Sequence, residues 1–344
     1  MRLPRLPTFL FSILALASLS HAFTPYTLND EGIYNNLTHY IEYSSAAGCI
    51  STTGVKVGYL DSSCSGEACV NADSDIYVVN VVDSLSHALI LTDPSEEQII
   101  IAFQGTESFL DWVLDFSFVP VAYEPYAVEN DLATNDFDAN LPFVHLGFKT
   151  ATDNFLSNAT GVLKGLKEEY PNYSVIVTGH SLGGALASLT GVELYLMGYE
   201  PTVIAYASPK VFNPTLADWV NEVFKTDQYL SDLKADNVHQ IPYYTFTRVT
   251  HVHDIVPCVP LAAMGYDHAG VDYYITKQDL PQAISDVEVR GEFKLKYELE
   301  TLGDLVASVA EDPSAALKDD TTSDSHIYYF IDISQCGLAD EESS

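Results

Sequence analysis

A serine at a glycine-bounded corner is the part of this sequence whose residue types and spacing could do chemistry. Ser181 is the centre of a Gly-x-Ser-x-Gly pattern over residues 179–183. A β-branched run over 175–178 precedes it and small and aliphatic residues over 184–196 follow it, which predicts a strand, a tight turn and a helix. Such a turn requires glycine at both flanks, because a Cβ there would collide with the strand or the helix. We interpret Ser181 as a nucleophile, held above the N–H groups of a helix N-terminus.

A serine hydroxyl is a weak nucleophile and needs a histidine base that is oriented by a carboxylate. After a serine in a strand–turn–helix, the acid and then the histidine are expected in that order along the chain. Asp254 comes just past a predicted strand over 244–249, at the edge where the active sites of open sheets gather. His326 follows a polar loop, is the last histidine of the chain and begins a predicted final strand over 326–333. Asp254 is therefore the predicted acid and His326 the predicted base.

An oxyanion formed at the serine would need at least two hydrogen-bond donors. The backbone N–H of Leu182, directly after the nucleophile, is the first predicted donor. Thr106, which follows a predicted strand over 98–103, is the second, through its backbone N–H or its hydroxyl. A plain turn after the strand is an equally good interpretation of the residues around Thr106. His251 and His253 suggest a metal pair, but no third ligand stands out near them, so we expect neither a metal nor a cofactor.

A short amphipathic helix is predicted directly after Thr106. On a helical wheel, residues 107–119 place acidic and hydroxyl side chains on one face and an apolar stripe on the other. The stripe consists of Phe109, Trp112, Val113 and Phe116. A helix of this kind beside a nucleophilic serine is typical of a lid that covers the site in water and turns its apolar face to an oil–water boundary. An ordinary half-buried helix is the alternative.

The remaining pattern predicts one α/β domain. Antiparallel strands are expected early in the chain, over 76–82, 88–91 and 98–103, after a first helix that begins near Asn29 with a stripe of Ile33, Leu37 and Ile41. From Gly147 onwards, predicted helices and strands alternate, which implies a parallel sheet with helices on its faces. The acidic segments 225–240 and 303–325 are interpreted as irregular, solvated insertions.

The N-terminus predicts export. Arg2 and Arg5 precede an apolar run and then a small-x-small site that ends at Ala22, the pattern of a secretory signal peptide over residues 1–22. A buried N-terminal helix is the alternative. No later stretch is long enough to span a bilayer, so we expect residues 23–344 to form a single secreted domain and to act as a monomer. Three glycosylation triplets fit this prediction, and they begin at Asn36, Asn158 and Asn172.

The charge and the cysteines of the chain limit its possible partners and disulfide bonds. The net charge of −33 argues against nucleic acid as a partner and against adhesion to anionic lipid surfaces. Five cysteines in an exported chain permit disulfides. Cys64 and Cys69 are close enough for a small local loop, and a Cys49–Cys336 bond would join the two ends of the folded region, although local alternatives stay open. Cys258 is then left as a buried thiol.

The sequence resembles the secreted fungal class 3 lipases, whose relatives include feruloyl esterases. The resemblance runs roughly from Asn29 to Leu338. It is carried by six segments in family order: Phe-Gln-Gly-Thr at 103–106, Val-His-Leu-Gly-Phe at 144–148, the serine segment at 177–187, Tyr-Ala-Ser-Pro at 206–209, Arg-Val-Thr-His at 248–251 with Asp-Ile-Val-Pro at 254–257, and His-Ile-Tyr-Tyr-Phe at 326–330.

The resemblance implies an α/β-hydrolase fold: a mostly parallel central sheet, antiparallel N-terminal strands, flanking helices and a short helical lid. It assigns Ser181 as nucleophile, Asp254 as acid and His326 as base. It also assigns further residues, which are the oxyanion donors Thr106 and Leu182, the lid residue Trp112, and the disulfides Cys49–Cys336 and Cys64–Cys69. The sequence departs from the family at Gln104, where arginine is usual, at Gly48, where an aromatic residue is common, and at Ala207 and Phe212, where glycine is frequent.

Together these features predict a secreted serine lipase that hydrolyses triacylglycerols at an oil–water interface, with a lipid ester as its partner. A feruloyl or acetyl esterase acting on carbohydrate, or a phospholipase, is the alternative on the same fold. A secreted binding protein that has lost turnover is a further alternative, which the complete set of predicted catalytic positions disfavours.

Overall fold

The computed structural model describes residues 23–50, 54–64, 75–105, 119–291, 298–299, 301, 303 and 320–334. Its helices in these ranges are α1 (Glu31–Gly48), α2 (Tyr126–Glu129), α3 (Leu146–Glu169), α4 (Leu182–Leu196), α5 (Pro214–Val223), α6 (Thr226–Lys234) and α7 (Asp320–Ile327). Its strands are β1 (Tyr26–Thr27), β2 (Gly58–Tyr59), β3 (Tyr77–Asp83), β4 (His87–Asp93), β5 (Gln98–Phe103), β6 (Pro120–Ala122), β7 (Phe143–His145), β8 (Ser174–His180), β9 (Pro201–Tyr206), β10 (Phe246–His251), β11 (Val271–Ile275), β12 (Val287–Gly291), β13 (Tyr328–Tyr329) and β14 (Ile331–Asp332).

One large sheet organises the described part of the chain, in the strand order β1-β12-β11-β10-β9-β8-β5-β4-β3-β2. The central strands β5, β8, β9, β10 and β11 are parallel to their neighbours in that group. The early strands β2 to β5 pair antiparallel, and β12 pairs antiparallel with both β11 and β1. The predicted α/β-hydrolase fold, with its parallel centre and antiparallel N-terminal strands, is confirmed.

The sheet is buried on both faces. Along β5, Ile100 and Ala102 pack into one core with α1, whereas Ile99 and Ile101 pack into the other with α3 and α4. This division follows from the period of two along a strand, and burial of both faces explains why the central strands are continuous apolar runs rather than alternating ones. The predicted stripe of α1 is buried in the first core, and Asp30 caps that helix by accepting the N–H of Ile33 at 3.0 Å.

A buried carboxylate supports the chain just after the predicted lid. Glu193 of α4 is fully buried, and its carboxylate accepts the hydroxyl of Tyr123 at 2.6 Å and the N–H groups of Tyr126 and Ala127, each at 2.9 Å. Burial raises the pKa of Glu193 above its usual range. These bonds satisfy the N-terminus of α2 and attach it to the helix that follows Ser181.

Three sequence predictions of local structure are wrong. Segment 303–325 was expected to be irregular, but its end, residues 320–325, belongs to α7. Residues 225–240 were expected to be irregular, but they contain α6, which buries Tyr229, Leu230 and Leu233. Three apolar residues on one face are enough to pack this helix into the core, although the rest of the helix is polar. The predicted final strand over 326–333 is also absent from the sheet: His326 lies in α7, and β13 and β14 form a separate hairpin. Phe330, with a φ of 66°, reverses the chain between them.

The structure describes three of the five cysteines, Cys49, Cys64 and Cys258. Cys258 is a free, buried cysteine, and burial raises the pKa of its thiol to about 12, so it is an inert thiol as expected. Cys49 and Cys64 are also buried. The partners predicted for them, Cys336 and Cys69, lie outside the described residues, as do the predicted signal peptide and lid. None of the helices in the described ranges has both the length and the apolar character that crossing a membrane requires.

Candidate active site

The corner between β8 and α4 is a single residue. β8 ends at His180 and α4 begins at Leu182, so Ser181 makes the whole turn, with φ 58° and ψ −124°. A positive φ is strained in a residue other than glycine, at a cost on the order of 1–3 kcal/mol. The conformation is held in part by the Ser181 N–H, which donates to the carbonyl of Tyr206 at 3.0 Å. The predicted strand, turn and helix are therefore present.

The glycines of this corner are required by close backbone approach. A Cβ on Gly179 would lie 2.2 Å from the carbonyl oxygen of Gly183. A Cβ on Gly183 would lie 2.6 Å from the carbonyl oxygen of Phe103, on the neighbouring strand. Both distances are far shorter than any real contact of a Cβ, so each position excludes every other residue type unless the backbone moves.

Three predicted side chains meet at the carboxyl edge of the sheet. The Oγ of Ser181 lies 2.9 Å from Nε2 of His326. The Nδ1 of His326 lies 3.1 Å from each carboxylate oxygen of Asp254. Asp254 and Ser181 are buried, whereas His326 keeps 16% of its side chain exposed. With Nδ1–H donating to the carboxylate, Nε2 can accept the serine proton, which is the geometry of a nucleophile with its base and orienting acid.

Asp254 is fixed by two further donors. The N–H of Val256 donates to Oδ1 at 2.9 Å, and the hydroxyl of Tyr329 donates to Oδ2 at 2.6 Å. Burial raises the pKa of Tyr329 well above its usual range, and the adjacent Asp254 carboxylate raises it further, so the phenol keeps its proton and remains a donor. The sequence pointed to Tyr329 only as a member of the segment 326–330, and it gave no signal for this contact.

Two other histidines hold the backbone that carries His326. The ring of His180 lies against that of His326, with centroids 4.7 Å apart, and its Nε2–H donates to the carbonyl of His326 at 2.7 Å. The Nδ1–H of His251 donates to the carbonyl of Ser325 at 2.6 Å. Burial lowers the pKa of both supporting rings, most strongly that of His180, so they stay neutral donors. Both backbone carbonyls flanking the candidate base are thereby fixed by buried rings.

His251 had also suggested a metal pair with His253. Its second nitrogen, Nε2, carries no proton in this tautomer and accepts the side-chain N–H of Gln282 at 3.1 Å, and the carbonyl of Lys277 lies 2.8 Å from it. Both ring nitrogens of His251 are therefore engaged with protein atoms. Gln282 also accepts the N–H of Phe330 at 2.7 Å, so this buried amide connects the end of β11 to the hairpin that follows His326.

A buried ion pair lies beneath the loop that carries Asp254. The ammonium of Lys210 donates to the carbonyl of Cys258 and to the carboxylate of Glu298, both at 2.7 Å. Glu298 also accepts the N–H of Ala262 at 3.2 Å. Burial lowers the pKa of Lys210, and the ammonium is nevertheless retained by its carboxylate partner. The pair fixes the 254–262 loop from below, through residues that are 88 positions apart in the sequence.

Of the two predicted oxyanion donors, the structure describes Leu182. Leu182 is the first residue of α4, so its N–H belongs to the unpaired N-terminal groups of that helix. Thr106 lies just outside the described residues, but Gly105 before it is placed directly beside the corner. A Cβ on Gly105 would be 3.5 Å from the Cβ of Ser181. The chain therefore enters segment 106–118 next to the candidate nucleophile.

Comparison with known proteins identifies the family of this chain. The model of the class 3 lipase family matches residues 100–264. The lipase-like protein LIH1 of Saccharomyces cerevisiae is 32% identical over 332 residues, which cover 91% of this chain and 95% of that protein. The chain belongs to the class 3 lipase family. As a class 3 lipase it is a carboxylic ester hydrolase.

Other members of the class 3 lipase family extend the match. A secreted mono- and diacylglycerol lipase of Gibberella zeae is 29% identical, over 79% of this chain and 70% of that protein. The crystal structure of a mono- and diacylglycerol lipase from Aspergillus oryzae superposes with a TM-score of 0.63 at 26% identity, covering 87% of this chain and 96% of that one. The resemblance noted in the sequence is thus confirmed over most of the chain's length.

Proposed function

We propose that this class 3 lipase is a secreted serine hydrolase that cleaves the ester bonds of triacylglycerols, with Ser181 as nucleophile, His326 as base and Asp254 as orienting acid. The observation that carries the proposal is the unbroken chain of contacts from the Ser181 hydroxyl through the imidazole to a buried carboxylate. The two donors hold the buried carboxylate in a fixed direction, and the carboxylate selects the tautomer of His326 that can accept a proton.

In the first step, Ser181 attacks the ester carbonyl while His326 Nε2 takes the hydroxyl proton. The imidazolium is stabilised by Asp254 and then donates the proton to the departing alcohol. A water molecule, deprotonated by the same nitrogen, cleaves the acyl-enzyme and releases the fatty acid. The tetrahedral oxyanion of each step is stabilised by the backbone amides of Leu182 and Thr106, the two predicted donors.

The interfacial part of the proposal rests on segment 106–118. Its apolar stripe of Phe109, Trp112, Val113 and Phe116 would open toward a lipid surface, and its first residue follows Gly105 at the nucleophile. We expect initial rates on a short-chain triacylglycerol to rise several-fold as its concentration passes the solubility limit and an emulsion forms. The measurement is a titration of released acid across that limit.

A matched variant separates the lid from the catalytic residues. Trp112→Ser with Phe116→Ser should lose the rise at the emulsion boundary and keep the rate on dissolved ester. A wild-type enzyme with no rise at the boundary would contradict interfacial activation and would favour the soluble feruloyl or acetyl esters as substrates. Phospholipids belong in the same panel, because a phospholipase would show its rise on phospholipid vesicles instead.

Partial glycerides are a second candidate substrate class, because relatives of this chain are named mono- and diacylglycerol lipases. Rates on tri-, di- and monoglycerides of one acyl length distinguish the two classes. We expect the triglyceride to be hydrolysed at a rate comparable to the others. A rate confined to mono- and diglycerides would assign the narrower class while leaving the catalytic residues unchanged.

The backbone-holding role of His180 gives a prediction with a conservative rescue. His180→Leu removes the donor to the His326 carbonyl, and we expect kcat to fall about 10- to 100-fold, because displacements of about 1 Å at a catalytic group cost that much. His180→Gln keeps an Nε2 donor and should recover most of kcat. KM should change little in either variant. Equal losses of kcat in the two variants would show that kcat does not depend on the hydrogen bond from residue 180 to the His326 carbonyl.

We also propose that the chain is exported, forms two disulfide bonds and acts as a monomer. Relatives named as secreted lipases support export, together with the leader pattern of residues 1–22. In an oxidising compartment Cys49–Cys336 and Cys64–Cys69 would close the ends of the domain and a local loop. The triplets at Asn36, Asn158 and Asn172 would then be exposed to the glycosylation machinery, and they differ strongly in their surroundings.

A further inference from the structure

The turn between α3 and β8 carries one of the three glycosylation triplets and opens on a groove at the amino end of the sheet. Asn172 is exposed in this turn, and its carboxamide makes no hydrogen bond with the described residues. On either side of it, the rings of Tyr170 and Tyr173 stack on each other with centroids 4.7 Å apart. The turn is fixed by the N–H of Ser174, which donates to the carbonyl of Glu97 at 2.9 Å.

The other two triplets have a different environment. Asn158 is in the middle of α3, and its Nδ2, the atom to which a sugar would be attached, donates to the carbonyl of Asn154 at 2.7 Å. Asn36 is in the middle of α1 and partly buried, and its Oδ1 accepts the N–H of Ile241 at 2.8 Å. A glycan at either position would have to coexist with these contacts, whereas Asn172 has an unengaged amide in a turn.

Asn172 also lines a groove of about 820 Å³, a volume within the range of about 300–1,000 Å³ that is usual for sites that hold small molecules. Its aromatic lining consists of Tyr173, Tyr195, Tyr199, Tyr243 and Tyr244. Tyr195 and Tyr244 are stacked nearly parallel, at 17°. The groove's charged side chains include Lys167, Lys225, Glu97 and Glu200.

The side chains that line the groove are of the types that bind sugars. The apolar C–H face of a pyranose packs on flat aromatic rings, and its hydroxyl and acetamido groups need both donors and acceptors nearby. Tyrosine supplies an apolar face and a polar tip in one side chain, and lysine and glutamate supply donors and acceptors. We propose that Asn172 is N-glycosylated and that the first sugars of its glycan lie in this tyrosine-lined groove. The inference rests on the proposed export of the chain.

The position of the groove keeps the glycan away from the chemistry. Ser174 begins β8 at the groove and His180 ends it beside Ser181, and about 3.3 Å per residue separates the two ends by about 20 Å. The edge that carries Ser181 therefore stays open to a lipid surface while the opposite end of the sheet carries the sugar. Loss of the glycan should leave the rate on dissolved ester unchanged.

The test uses the full chain with its own first 22 residues, expressed in a eukaryotic secretory host. Glycopeptide mapping by mass spectrometry should find a hexosamine-based glycan on Asn172, and Asn172→Gln should remove that mass where the matched Asn158→Gln does not. Endoglycosidase should trim the native protein several-fold more slowly than the denatured protein, and Tyr199→Ala with Tyr243→Ala should abolish much of that protection.

Each outcome decides one part of the inference. An unmodified Asn172 in the exported protein, or a glycan on Asn158 or Asn36 instead, would overturn the modification. A glycan on Asn172 that is trimmed equally fast in the native, denatured and tyrosine-substituted proteins would refute the proposal that its first sugars bind in the groove. Ester hydrolysis is measured on the same samples, so an active but unglycosylated chain refutes this inference alone, and a glycosylated but inactive chain refutes the proposed function alone.

Discussion

Replacing Ser181 by alanine should lower kcat/KM on a dissolved ester by about 10⁵- to 10⁶-fold, because the variant has no nucleophile and retains only binding and oxyanion stabilisation. The folded state should survive, since the substitution removes one hydroxyl whose partner is the solvent-accessible ring of His326. The measurement is the initial rate of acid release, together with the free energy of unfolding in urea.

A serine elsewhere on the same helix provides the control. Ser188 is buried in α4, and its hydroxyl donates to the carbonyl of Gly184 at 2.8 Å, within the helix. Ser188→Ala should keep near-native turnover. Substantial activity in Ser181→Ala would remove this serine from the mechanism, and an equal loss in both variants would point to a structural cause.

Replacing Asp254 by asparagine should lower kcat by about 10⁴-fold with little change in fold. Asparagine occupies the same volume, but its NH₂ group can face Nδ1 of His326 and favour the tautomer in which Nε2 carries the proton. That tautomer cannot accept the proton of Ser181. The loss should appear in kcat rather than in KM, because the carboxylate lies behind the histidine and does not contact the substrate.

Two further variants serve as a comparison and a control for Asp254→Asn. Tyr329→Phe removes one donor to the carboxylate and keeps its charge, so we expect a loss of about 10- to 150-fold, which corresponds to the about 1.5–3 kcal/mol that a hydrogen bond to a charged group contributes. Asp218→Asn changes an exposed carboxylate on α5 and should have no effect on kcat. An Asp254→Asn enzyme as active as Asp218→Asn would contradict the assigned role.

The three side chains that meet at the edge of the sheet were predictable from the sequence, Ser181 and Asp254 by local pattern and His326 as the last histidine of the chain. The glycines around Ser181 are required by contacts of 2.2 and 2.6 Å that no other residue tolerates, and Asp254 follows a strand that feeds the same edge. The backbone conformation at Ala207 explains one departure from the family pattern. Its φ of 49° lies in the left-handed region, which explains why glycine is frequent there in the family.

The contacts that support these residues were not predictable. Tyr329 donates to Asp254 across 75 positions, and His180 donates to the backbone of His326 across 146. Neither pair follows from strand or helix periodicity, because only tertiary packing brings residues so far apart in the sequence together. The error at His326 has a local explanation. A run of aromatic and β-branched residues favours a strand, but His326 belongs to α7 and the chain reverses at Phe330.

Composition misled the prediction in α6 for a related reason. Net acidity describes the exposed face of a helix, whereas a few well-spaced apolar residues decide whether it packs. Tyr229 illustrates this, because its hydroxyl lies 2.6 Å from that of Tyr273 beneath the sheet. The buried pair Lys210–Glu298 is equally invisible in the sequence, since two opposite charges among many give no signal of being paired.

Covalent labelling with an alkyl phosphonate ester tests the central claim most directly. The reagent reacts only with a nucleophile activated by its base and stabilised as an oxyanion, so it reports on the whole constellation at once. One phosphonyl group per chain, located by mass spectrometry on Ser181 and greatly slowed in His326→Ala, is the predicted result. A folded wild-type protein that remains unlabelled, or that carries the group on another residue, would contradict the assignment of Ser181, His326 and Asp254 as one catalytic unit.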